Sequence, residues 1–118
     1  MIRVFVAILS GVALAVTLTL SAAAHTTLTS SVPADGAEVA PPEELMLEFG
    51  ADVKLARVQI VPIGGKPIRL KLDRSAPAST KMVVPVGEAL APGAYVVEWR
   101  AVADDGHIMT GEFGFSVR

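Results

Sequence analysis

The 118-residue chain carries ten basic and twelve acidic side chains, a formal charge of −2, and no cysteine. The absence of cysteine excludes disulfides, thiolate metal sites and thiol catalysis. An acidic balance without any basic run argues against nucleic acid as a partner.

The first element is "MIRVFVAILSGVALAVTLTLSAAA", in which Arg3 is the only charge and an apolar run leads to small residues at Ala22 and Ala24. This is the pattern of a secretory signal peptide, and it predicts cleavage after Ala24. The run from Val4 to Leu20 approaches bilayer-spanning length, so an uncleaved membrane anchor is the rival reading. Cleavage leaves one domain, residues 25–118, and since Arg3 departs with the leader, nine bases remain against twelve acids.

Strand patterns dominate the rest. Residues 26–31 form a short candidate. "ELMLEF" (44–49) then places Leu45, Leu47 and Phe49 on one face. Gly50-Ala51-Asp52 reads as a break before a further candidate at 55–62. "IRLKL" (68–72) alternates Ile68, Leu70 and Leu72 with Arg69 and Lys71, then "DRSAPAST" (73–80) reads as an exposed loop and 80–86 as a further candidate. "GAYVVEWRAV" (93–102) aligns Tyr95, Val97, Trp99 and Ala101, and "GEFGFSV" (111–117) aligns Phe113, Phe115 and Val117. A period of two marks half-buried strands. Turn signals separate them at Ala34-Asp35-Gly36, Pro41-Pro42, Gly64-Gly65, Pro92-Gly93 and Asp105-Gly106. About seven strands and no sustained helical period predict an all-β, Greek-key sandwich or barrel.

Two places carry candidate chemistry. If the leader ends at Ala24, His25 becomes the first residue, and its free α-amine and imidazole Nδ1 can chelate one metal ion. Nitrogen pairs of this kind suit tetragonal Cu(II). The plain alternative is a polar residue that follows the cleavage site by chance. The second place is "ADDGH" (103–107), where Asp105 and His107 are one glycine apart and an extended backbone would point both to one side. The plain alternative is a hairpin turn at Asp-Gly with His107 after it. The mature chain would hold only these two histidines.

"GAYVVEWRAVADDGHIMTGEFGFSV" (93–117) and "HTTLTSSVPADGAEVAPPEELMLEFG" (25–50) together resemble the periplasmic copper-binding proteins of the CopC family. The resemblance rests on the Trp-Arg-Ala run followed by Asp-x-His, and on the Ser-x-Pro-Ala-x-Gly turn. It implies a Greek-key β-barrel related to immunoglobulin-like sandwiches. It also implies one Cu(II) per chain, held by the amine and ring of His25 together with Asp105 and His107. Work in the periplasm beside an inner-membrane copper-transport partner is implied as well, in copper homeostasis or resistance and without catalysis.

The chain departs from the family in two ways. Some members carry a methionine-rich Cu(I) site with a nearby histidine, whereas the corresponding region here holds only Met82. Because Cu(I) needs several thioethers, a Cu(II)-only protein is expected, with Met46, Met82 and Met109 filling the core or its edge. Some members have a glutamate near the site; here Asp52 stands in that region and reads as an exposed loop carboxylate. Trp99 is core by its alternation and is expected near the metal. Two other classes stay open: a copper-dependent oxidative enzyme built on a histidine brace, and a metal-free immunoglobulin-like interaction domain.

Overall fold

The computed structural model describes residues 28–118. The leader expected over 1–24 and His25 lie outside the described residues. Those described form seven strands and no helix: β1 (Leu28–Val32), β2 (Ala37–Val39), β3 (Glu44–Pro62), β4 (Ile68–Arg69), β5 (Ser79–Pro85), β6 (Gly93–Ala103) and β7 (Ile108–Val117).

The longest element, β3, organises the rest. Its first half pairs antiparallel with β1 and β5, and its second half pairs with β4 and β6. β6 then pairs antiparallel with β7, and β2 adds to the end of β7 in parallel. The result is one mixed sheet, ordered β1-β3-β6-β7-β2, that curls through β3 so that its halves face each other. The all-β expectation is met, but the seven strands are not the seven expected. The segments 44–49 and 55–62 are one strand, and β2 had no pattern of its own.

The merger has a physical cause. Gly50, Ala51 and Asp52 are exposed, yet the backbone stays extended across them. Beyond them, the register against β6 slips by one residue between Leu55 and Arg57, leaving Ala56 as the extra residue of a β-bulge. A one-residue shift exchanges the faces of a strand. Leu45, Leu47, Phe49 and Val53 thus point inward at odd positions, and Val58 and Ile60 at even ones.

The core meets in the middle of the curl. Phe49 packs edge-on against Trp99 with ring centroids 5.0 Å apart, and Tyr95 stacks on Phe115 at 5.6 Å. The Tyr95 hydroxyl donates to the carbonyl of Ala91 just before β6, as the tyrosine corner of immunoglobulin-like sandwiches does. Strand β4 is shorter than "IRLKL" promised: Leu70 is buried and bonds back to Val58, but Leu72 has left the sheet. Met82 and Met109 pack at the edge of the core. Glu98 accepts a 2.6 Å hydrogen bond from Gln59, its register partner on β3.

Candidate metal centre

The hairpin between β6 and β7 holds both described candidates. The amide of Gly106 donates to the carbonyl of Ala103, and the amide of Ala103 to that of His107, both at 2.9 Å, closing a tight turn over Ala103–His107. Gly106 adopts φ of +85°, a conformation that costs glycine little and other residues more. The sequence allowed either a turn or a metal-binding pair at this place; the structure shows the turn, and within it Asp105 touches His107. The contact arises from turn geometry rather than from the alternation of an extended strand.

Within it, Asp105 uses both carboxylate oxygens on His107. Oδ1 accepts the His107 backbone N–H at 3.0 Å, and Oδ2 faces ring Nδ1 at 2.5 Å. That second contact needs the proton on Nδ1 when the ring is neutral, which leaves Nε2 as the lone-pair nitrogen. A histidine fixed at one nitrogen by a carboxylate and free at the other is the arrangement in which imidazoles bind metals. The His107 backbone N–H, and after it the ring, hold the Asp105 carboxyl below the ordinary aspartate range, so it is anionic at neutral pH. Both side chains are open to solvent, 77% exposed for His107 and 62% for Asp105.

His107 stands at one end of a groove of about 820 Å³ between β1 and the first half of β7. Leu28, Thr29 and Ser31 form one wall, Met109 and Thr110 the other, and Trp99 also lines it. Trp99 is therefore both core, at 6% exposure, and neighbour to the candidate site. Its indole occupies space that Gly111 leaves open: a Cβ on Gly111 would lie 2.7 Å from Trp99 Cε2. Gly111 is the site-forming residue that pattern reading missed. The available signal was a glycine at the head of "GEFGFSV", where β7 in fact begins three residues earlier, at Ile108. The indole N–H has no hydrogen-bond partner among the described residues.

Among the described residues, no three His, Asp or Glu side chains converge. Asp105 and His107 are two candidate donors, and Asp52, exposed on β3, does not line the groove.

Residues 28–118 match the family model of the CopC domain. Copper resistance protein C of Escherichia coli is 35% identical over 122 aligned positions, covering 95% of each chain. Copper resistance protein C of Pseudomonas syringae pv. tomato is 34% identical, over 82% of this chain and 83% of its own. Among solved structures, CopC from Methylosinus trichosporium OB3b superposes with a TM-score of 0.66 at 31% identity, over 79% of this chain and 93% of its own. PcoC, a methionine-rich copper resistance protein from Escherichia coli, gives 0.61 at 31% identity, covering 80% of this chain and all of that one.

Proposed function

The chain belongs to the CopC family, and on that premise we propose that it is an exported Cu(II) carrier or buffer serving copper resistance. Cleavage after Ala24 frees the α-amine of His25, which binds one Cu(II) per chain together with its own ring, His107 Nε2 and, once it has turned away from Nδ1, the Asp105 carboxylate. Three nitrogens and an oxygen form a donor set that Cu(II) favours over other divalent ions. The ion is cargo, passed on in the periplasm to an inner-membrane copper-transport protein.

One observation carries the reading. Leu28 and the fixed ring of His107 line the same groove. His25 stands three positions before Leu28, with Thr26 and Thr27 between them, a reach of at most about 10 Å when extended. That short tether supports a site shared between the free N-terminus and the unused Nε2. Metal must displace a proton from the α-amine, whose unperturbed pKa is about 7.7–8.0, so affinity falls as pH drops through that range.

The test is a Cu(II) titration of protein purified from the periplasm, with its first residue fixed by mass spectrometry and binding read by electron paramagnetic resonance. One equivalent in a nitrogen-rich tetragonal signal is expected. His25→Ala should lose most of the affinity and keep the fold. Wild-type affinity in that variant would remove His25 from the site.

A further inference from the structure

A second cleft, of about 430 Å³, lies between β3, the segment 71–77 and β5. Its lining includes the apolar Leu72, Met82 and Val84, of which Val84 is buried, and the exposed cations Lys54, Lys71 and Arg74. One acid lines it, Asp73, and its carboxylate is already engaged. Asp73 Oδ1 accepts the Ser75 backbone N–H at 3.0 Å and the Ser75 hydroxyl at 2.5 Å. These bonds, the hydroxyl's first, hold the carboxyl below its ordinary range. Among the described residues the one ion pair is Asp105 with His107, so none of the three cations is neutralised by a salt bridge. A locally positive rim around an apolar floor is thus set into a chain whose acids outnumber its bases.

We propose that this cleft docks an acidic segment of a partner protein, with an apolar side chain entering between the cations. Charge complementarity selects the carboxylates, and the recessed floor selects the apolar anchor. Two features favour a polypeptide over a membrane surface. A bilayer presents its headgroups in a plane, whereas this floor is reached only by a group that projects inward. Among the described residues β5 is also bonded along one edge, to β3, and its Met82–Pro85 stretch lines the cleft, so an extended backbone has an edge to follow.

The cleft is placed to be useful. Lys54 is in register with Val102, and Val102 with Ile108, which lines the His107 groove and is 61% exposed. The backbones of Lys54 and Ile108, one lining each recess, are therefore about two strand spacings, roughly 10 Å, apart. Docking itself does not depend on the copper reading, and it is tested on metal-free protein so that each can fail alone.

The experiment is an amide chemical-shift titration of the 15N-labelled, metal-free protein. The probe is a short synthetic peptide alternating Glu with Leu; the controls are a peptide alternating Lys with Leu and vesicles of phosphatidylglycerol. Saturable shifts confined to residues 54–56, 71–76 and 82–84 are expected, weakening as salt rises. In the double variant Lys71→Glu, Arg74→Glu, binding should fall at least tenfold while the rest of the spectrum stays in place. No shift, equal binding of the Lys peptide, or undiminished binding in the double variant overturns the proposal. Vesicle binding that exceeds peptide binding and is lost in the same variant replaces the protein partner with a membrane.

Discussion

Asp105 cannot serve His107 and a shared metal ion from one position. With Oδ2 on Nδ1, the carboxylate sits on the far side of the ring from Nε2, where the ion would bind. It must either stay as the ring's holder or swing away to become an oxygen donor. Two substitutions separate these roles. Asparagine keeps an acceptor for the Nδ1 proton but loses the anionic oxygen; alanine loses both. If Asp105 only holds the ring, Asp105→Asn should bind Cu(II) nearly as wild type, while Asp105→Ala weakens it by about 10–100-fold. If it is the oxygen donor, both variants lose affinity alike, as measured by competition with a chelator of known strength. A different constraint governs Gly111. A methyl group there meets the Trp99 indole well inside normal contact, and overpacking of this kind costs about 1–3 kcal/mol. Gly111→Ala should therefore lower the urea midpoint with an unchanged slope. The contact between Asp105 and His107 was legible in the sequence because both residue types and their spacing are local. Gly111 was not, because its role depends on an aromatic ring that reaches it from the neighbouring strand.

Strands with strict alternation were the legible elements. Leu45, Leu47 and Phe49, like Tyr95, Val97, Trp99 and Ala101, are buried as their period of two requires. Elements defined by their partners were not legible. The three residues of β2 are held by the end of β7 and by the Asp35 turn, whose side chain accepts the Gly114 amide at 2.9 Å. Gly50-Ala51-Asp52 has the composition of a loop, yet it remains strand because β3 is paired on both sides of it. The bulge at Ala56 reconciles two opposite alternations, and that makes it removable. Deleting Ala56 moves Val58 and Ile60 to odd positions, continuous with Leu45 and Leu47, and joins the two registers against β6. That variant should fold with the same cross-strand neighbours in its nuclear Overhauser spectrum. Inserting an alanine after Val58 has no second bulge to absorb it and turns Ile60 outward, so that variant should not fold.

At the scale of the whole molecule, the curl of the sheet gives the candidate centre its two walls. β1 and β7 are far apart in the strand order, yet both line the groove that holds His107. Neither half of the sheet makes that groove alone. The same architecture follows from one feature, the unbroken course of β3 through both sets of partners. Because a single backbone belongs to both halves, neither can detach while the other stays whole, and no sub-domain is available to open first. The chain should then behave as one foldon. Amide protons of Val53 and Val58 should exchange with deuterium only through complete unfolding, at the free energy that denaturant melting returns. The nucleus must also close long loops before β3 has its neighbours, which sets the protein among slow, high-contact-order folders. For any chain that must fold where it works, this means a lasting interval as an unfolded chain before the groove lined by His107 exists.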